Sequence, residues 1–369
     1  MKALGQLDRL VLAELARLFA ATLAGVVLLY LVIDFADRGS MFRSRPDWGL
    51  VGELYLNRAA VVAHQLAPVA LILAISLLLA QLGRRGELVA VFSLGVSPWR
   101  VVLPVGAMAL VLGGLSWLAN ERVVVGADAR AEEVTAEHFK VWGDFGAYHA
   151  ESHWLRGRAG RMFRLGKATG GGFEPAMVLE IDADFRLRRR LVAARMEPAG
   201  PGRWRLVQVR EVRYADSEPR LRESKADEQL EAFPDTPAEL SLRSGRPRQL
   251  AYADLREQAA RRELLGQPSR EYRLALAERV AGVLQLIPVA LLAAAIALAL
   301  GRRSGPRARP LSAAVAAGLG LSMGLWALTV VLHAASMGGS VPVWLAAALP
   351  GLSCALLAGW LLRPRALTA

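Results

Sequence analysis

Long stretches of this chain carry no charge, and that feature limits its fold more than any other. Between Arg58 and Arg84 lie 25 residues without Asp, Glu, Lys or Arg. Leu18 to Ile33 supplies 16 such residues, Val101 to Asn120 supplies 20, and Val280 to Gly301 supplies 22. Pro310 to Leu362 is uncharged for 53 residues, broken by Met337-Gly-Gly-Ser-Val-Pro342. About 20 apolar residues cross a bilayer, so the last run divides in two and the chain predicts six spans. The first run is short and borrows Leu15 and Ala16. It could also be read as a cleaved leader, but Leu7 to Ile33 is long for one, and cleavage would leave five spans.

Basic residues set the orientation. Lys and Arg in short loops favour the cytoplasm. With the N-terminus placed inside, the inner segments hold Lys2, Arg9, Arg17, Arg84, Arg85, Arg100, Arg302, Arg303, Arg307, Arg309, Arg363 and Arg365. Against these stand only Asp8, Glu14 and Glu87, an excess of nine positive charges. The first outer loop balances Arg38, Arg43, Arg45 and Arg58 against Asp34, Asp37, Asp47 and Glu53. Most of the formal +12 is therefore topology. The arginines flank spans and do not form one patch, which argues against nucleic-acid binding. Both termini are expected inside.

Between the second and third spans lies Gln81 to Arg100, QLGRRGELVAVFSLGVSPWR. Leu88, Val89, Val91, Phe92 and Leu94 suit a short helix over about 84–96. Gly95 suits its C-terminus, and Ser97-Pro98 the start of the next helix. A short amphipathic helix with Arg84 and Arg85 at its mouth is what a membrane protein would present to a cytoplasmic partner.

Residues 121–279 differ, with 29 basic and 26 acidic residues. This part is water-exposed and, by parity of spans, lies outside. Residues 122–140 predict a helix continuing the third span. Ile181, Ala183, Phe185 and Leu187 alternate with Asp182, Asp184, Arg186 and Arg188 as a half-buried strand does. Glu197 to Gly202 reads as a turn. Trp204, Leu206, Val212 and Tyr214 continue the alternation with a slip between. These features predict a small antiparallel β domain. Tyr252 to Leu265 reads as a helix, and the fourth span begins near Arg270. The fold class is an α-helical integral membrane protein with six transmembrane helices and an inserted antiparallel β domain on the outer side; the family resemblance given below implies that this domain is periplasmic and jellyroll-like. Its domains are 1–140, 141–250 and 251–369.

No phosphate loop, HExxH, paired-cysteine metal site or GxSxG elbow is present. The chain therefore carries no catalytic group, cofactor or metal that its motifs reveal. Cys354 is the lone cysteine and lies within the sixth span. Ser152-His153 and the Asp182/Asp184 pair come nearest to chemistry, and strand surface accounts for the aspartates. His138, His149 and His153 read as solvated surface sooner than as a metal site. The span centres carry no charge, which disfavours a proton relay. Charges gather instead at the outer ends: Arg38, Arg43, Arg45, Arg58, Arg273 and Arg279. They are either interfacial anchors or a ring of guanidinium groups for a phosphorylated amphiphile, since Arg grips phosphate bidentately. Gly318, Gly320 and Gly324 suit close helix packing in the fifth span.

The motifs run in a definite order. LDRLVLAELARLF leads a first span ending DFADR, and LLLAQLGRRGELVAVFSLGVSPWRVVLPV follows. Then come GRWRLVQVREVRY in the insertion and VPVWLAAALPGLSCALLAGWLLRP at the end. Over essentially the whole chain this resembles the lipopolysaccharide export permeases, the LptF/LptG family. The opening LDR and closing VPxWLAAALP look closer to the LptG branch. One departure stands out: members can carry a lysine in the outer half of the second span, where this chain has Val61, with His64 nearby.

The resemblance implies a permease subunit of an ABC transporter that takes lipopolysaccharide from the outer leaflet of the inner membrane. It hands the lipid to a periplasmic bridge. Partners implied are a paralogous LptF-like permease, an LptB-like ATPase dimer using ATP and Mg, and an LptC-like single-span bridge protein. The chain itself would not be an enzyme. The elbow would be the coupling helix, with Glu87 meeting an ATPase arginine and Leu88, Val91 and Phe92 filling its groove. The first and fifth spans would form lateral gates, and the β domain a greasy conduit. Two other readings are a four-span lipoprotein-releasing type permease, and a membrane enzyme acting on envelope lipids with an essential acid or histidine outside.

Overall fold

The computed structural model describes residues 5–39, 47–137, 153–158, 160–169, 172–182, 184–200, 202–214, 222–240, 246–264, 268–303 and 310–363. Two compact units emerge: Met1–Phe139 with Arg270–Ala369, and Lys140–Ser269 between them in the chain.

The first unit is a helical bundle. Six of its helices are long and apolar enough to cross a membrane: Asp8–Arg38, Trp48–Arg84, Pro98–Thr135, Arg270–Leu300, Ser312–Met337 and Val343–Leu361. They are called the first to sixth spans below. The end of the bundle where the chain leaves for the second unit is the insertion end; the opposite one is the elbow end. Several helices outrun their charge-free cores. The residues ahead of the first charge-free run are continuous with it, in one helix Gln6–Arg38. The second starts at Trp48, where the Asp47 carboxylate accepts hydrogen bonds from the backbone N–H of Gly49 and Leu50, a cap for otherwise orphaned donors. The third passes through a π-helical turn, Asn120–Val124, into Val125–Glu137. These extensions pack on one another through Val51, Leu54, Ala131 and Val134. Arg130 ties them by donating to Glu53 at 2.7 Å, and it also donates to Glu133 of its own helix at 2.8 Å.

The bundle core centres on the second and fourth spans, with Leu71, Ile75, Leu78, Val105, Ala290 and Ala294 among its buried residues. The most apolar stretch of the first span has no buried residue, and that of the fifth has 17% buried. Both helices thus turn apolar surface outward. Pro68, Pro104, Pro288 and Pro350 lie inside spans, where neighbouring helices and local adjustment can satisfy the backbone they free. Exposed Trp48 and Trp344 mark the insertion end, and Trp99 and Trp360 the elbow end, as interfacial aromatic belts do. Of the three glycines singled out in the fifth span, Gly318 alone sits at a close contact. A Cβ there would lie 3.0 Å from Ser76 Oγ of the second span, whereas Gly320 and Gly324 face nothing within 4 Å.

The second unit is built on a seven-stranded antiparallel sheet, inserted in sequence between the third and fourth spans. Its strands are β1 His153–Arg156, β2 Arg161–Thr169, β3 Gly172–Ile181, β4 Leu187–Ala193, β5 Arg195–Pro198, β6 Arg203–Arg213 and β7 Arg222–Ala232. Each pairs with its neighbour in sequence, except that β4 and β5 both lie along β6, interrupted at Ala194. A helix, Tyr252–Leu264, follows.

Two details depart from the alternation read in the sequence. Residues 181–187 do not form one strand. β3 ends at Ile181 and β4 begins at Leu187, because Asp182 Oδ1 accepts from the backbone N–H of Asp184 and Arg186 and closes a hairpin turn. Phe185 lies in that turn at φ 59° and is 88% exposed. In β6 the slip falls at Gln208, with φ 52°. The buried face then resumes at Val209 and Glu211, not at Val212 and Tyr214. The interior is filled. Phe163, Leu165, Leu191, Met196, Trp204 and Phe233 are all fully buried, and Trp204 Nε1 donates to the Asp235 carbonyl at 2.9 Å.

Candidate functional site

The elbow forms as a seven-residue helix, Glu87–Ser93. Gly86 and Gly95 bracket it with φ of 75° and 76°, a backbone region that L-residues with a Cβ avoid. Pro98 then opens the third span. The elbow is two-faced, and its faces divide the apolar residues. Leu88 is only 8% exposed and joins the bundle core, with Val91 and Phe92 packed partly against it. Leu88 thus anchors the elbow to its own chain, while Val91 and Phe92 remain half-exposed. The outward apolar residues are Val89, 69% exposed, and Leu94, 82% exposed. Arg84, Arg85 and Glu87 are exposed beside them, with Arg85 Nη1 3.8 Å from Glu87 Oε1.

At the insertion end the arginines are brought together with acids. Asp34 of the first span accepts from Arg38 Nε at 3.1 Å, from Tyr55 Oη at 3.1 Å and from Arg58 Nη1. Phe35 packs edge-on to Tyr55 at 5.6 Å. Arg279 of the fourth span donates to Glu121 Oε1 at 2.9 Å, at the π-helical turn of the third span. Arg273 is exposed on the fourth span. Arg43 and Arg45, together with His138, His149 and Ser152, lie outside the described residues. Three of the six cations expected to form a ring are therefore set in ion pairs: Arg38 and Arg58 share Asp34, and Arg279 has Glu121.

Beside these pairs lies an apolar cavity of about 330 Å³. Phe19 and Leu23 of the first span form one wall, Ala63, Ala67 and Leu71 of the second its back, and Leu112, Leu115 and Val123 of the third the other wall. Leu286 of the fourth span also lines it. A hydrogen bond of 3.1 Å between His64 Nδ1 and Ser116 Oγ lends it polar character. The cavity runs from the middle of the bundle toward the insertion end. Such a space can take an aliphatic chain, with charged groups nearby for a polar head.

In the second unit, Asp182 serves the turn described above. The Arg186 backbone N–H and the Arg188 guanidinium hold its carboxyl below the usual range. Among the described residues no group of His, Cys, Asp and Glu is arranged to hold a metal ion. Inside the sheet unit, Glu211 accepts from Arg189 at 2.9 and 3.0 Å and from Gln229 at 3.1 Å. Arg189 also donates to Glu231 at 3.1 Å. The Arg189 hydrogen bonds pull the Glu211 carboxyl from its ordinary 4.5 to about 2.

Asp34, Glu121 and the Asp8–Arg100 pair are the polar groups that sequence reasoning missed. Each is charged at a span end, where charge is unremarkable, and only contact across the bundle distinguishes it.

A family model described as lipopolysaccharide export system permease LptF/LptG matches residues 9–364, nearly the whole chain. Comparison with curated proteins returned no match.

Proposed function

The chain belongs to the LptF/LptG family of lipopolysaccharide export permeases, and from this premise we infer that it converts an ATPase's motion into extraction of lipopolysaccharide from the membrane's outer leaflet. As a family member it is a multi-pass inner-membrane transport permease, and the family implies a multi-component export complex. In the proposed arrangement the elbow end faces the cytoplasm with both termini, and the sheet unit faces the periplasm. The partners are a paralogous LptF-like permease, an LptB-like ATPase pair that binds ATP and Mg, and an LptC-like bridge protein.

One observation carries this reading. The elbow is fastened by Leu88 while Glu87, Val89 and Leu94 are left outward. A helix held by one face and open on the other suits docking into a partner's groove. Glu87 offers a carboxylate for an arginine, a pairing worth far more once water is excluded. Lipid chemistry fits the other end. The apolar cavity would receive an acyl chain, and the insertion-end guanidinium groups would exchange Asp34 and Glu121 for lipid A phosphates. Arg38, Arg58, Arg273 and Arg279, with Arg43 and Arg45, are the proposed phosphate contacts. The sheet unit would then pass the lipid to the bridge, which requires its filled interior to open.

The test is Glu87→Arg in the assembled transporter. Lipid export should fall to background and ATP hydrolysis should drop, while the chain still inserts and purifies. Export at the wild-type rate would refute the coupling role.

A further inference from the structure

Asp8 sits in the first turn of the first helix yet is only 4% exposed, unusual for a carboxylate. Its Oδ2 accepts from Arg100 Nη2 at 2.9 Å and from the Gly5 backbone N–H at 3.1 Å. Its Oδ1 is buried without a hydrogen-bond partner. Arg100 is the third residue of the third span, just beyond the elbow, and lies 92 positions from Asp8. Val11 and Leu15 of the first helix, Leu82, Leu88 of the elbow and Val101 all belong to the bundle core. The start of the first helix is thus joined to the start of the third span by this ion pair, and the third span follows the elbow directly in the chain.

Beyond that ion pair the apolar stretch of the first span has no buried residue. Thr22 Oγ1 donates to the Ala70 carbonyl at 3.1 Å, and Asp34 makes the contacts described above. Phe19 and Leu23, which wall the cavity, lie on this stretch. Whatever moves residues 8–15 therefore acts on the cavity wall. Apolar contacts slide at little cost, but the buried Asp8 carboxylate does not part from the half-exposed Arg100 so easily, because separating them strands its charge.

We propose that Asp8 and Arg100 are positioning residues that carry the elbow's displacement into the first span and so set the width of the cavity. This rests on the transporter reading above. ATPase motion that lifts the elbow would pull Arg100, Arg100 would pull Asp8, and Phe19 and Leu23 would follow.

The experiment uses the permease assembled with its partner permease and ATPase in lipid vesicles, with Asp8→Asn, Arg100→Gln, the double variant and Arg100→Lys. Lipid exported per ATP hydrolysed is one readout. The other is the distance between spin labels at Ser93→Cys on the elbow and Leu28→Cys on the first span, before and after ATP; Cys354 is buried and can remain. Each neutral variant should assemble and hydrolyse ATP while exporting about tenfold less lipid per ATP, within the usual range of coupling free energies. The double variant should be no worse than either single one, and Arg100→Lys should recover most of the loss. The label distance should hold through the ATP cycle in the wild type and change in Asp8→Asn. An unchanged export ratio with unchanged distances would overturn the proposal. So would loss of assembly in every variant, which would make the pair a folding contact. The distances need no cargo. A wild-type complex that hydrolyses ATP without moving lipid would sink the transporter reading, while the labels still decide whether elbow and span move together.

Discussion

Asp34 holds three side chains from two spans, Arg38, Tyr55 and Arg58, and its charge decides what those arginines can offer a ligand. A carboxylate already in place competes with an arriving phosphate, so Asp34→Asn should free guanidinium charge. We expect that variant to retain more lipid A through purification and to release it more slowly, and Arg58→Ala to retain less. Mass spectrometry of co-purified lipid measures both. Glu211 in the sheet unit shows the same pairing in a structural role. Its folded value, about 2 against an ordinary 4.5, stabilises the unit above the ordinary value. That stabilisation is lost as pH falls from there through about 2. Pepsin cleavage of the full chain within residues 140–269 should thus accelerate steeply between pH 4 and pH 2 (a window set by that same shift). In Glu211→Gln the cleavage should be faster throughout and its pH dependence flatter.

The elbow separates two kinds of apolar residue at the scale of one helix. Leu88 is core and Leu94 is not. Leu88→Ala should lower thermal stability by about 2–4 kcal/mol, the usual cost of a cavity at a buried leucine, and loosen the elbow. Leu94→Ala should leave the melting temperature unchanged and weaken ATPase retention, read by co-purification. The fifth span makes a similar distinction. Gly318→Leu forces a side chain against Ser76 and should lower the melting temperature in detergent, whereas Gly320→Leu and Gly324→Leu enter open space and should not. The sequence marked all three glycines alike, because spacing says which face a residue shares and nothing about how near the next helix comes.

For the whole molecule, the orientation proposed from basic residues yields a direct prediction. A cysteine placed at exposed Arg85 should react with impermeant maleimide only from the cytoplasmic side. One placed at exposed Ser224 should react only from the periplasmic side. Reversed reactivity would invert the topology and remove the elbow from any cytoplasmic partner. The six spans, the short helix at the elbow and the β insertion were all legible in the chain. Each depends on local composition or period: 20-residue apolar runs, a glycine–proline break, side chains alternating along a strand. The misplaced details share one cause. Residues 181–187 alternate as a strand does, yet Asp182 caps a turn there. Leu88 is covered by its own chain, and one helix cannot reveal which of its faces that will be.

Hydropathy and basic-residue bias alone determined that this chain is a six-span membrane protein with a polar insertion. Water and lipid act on each segment separately, so a one-dimensional pattern suffices to record the outcome. Motif order was enough to recognise the family. Tertiary structure alone decided which charges meet. Asp8 reaches Arg100 across 92 positions, and Arg279 reaches Glu121 across 158. Pairing of this kind follows from how helices pack in three dimensions, where Coulomb attraction acts over a few ångströms whatever the separation along the chain.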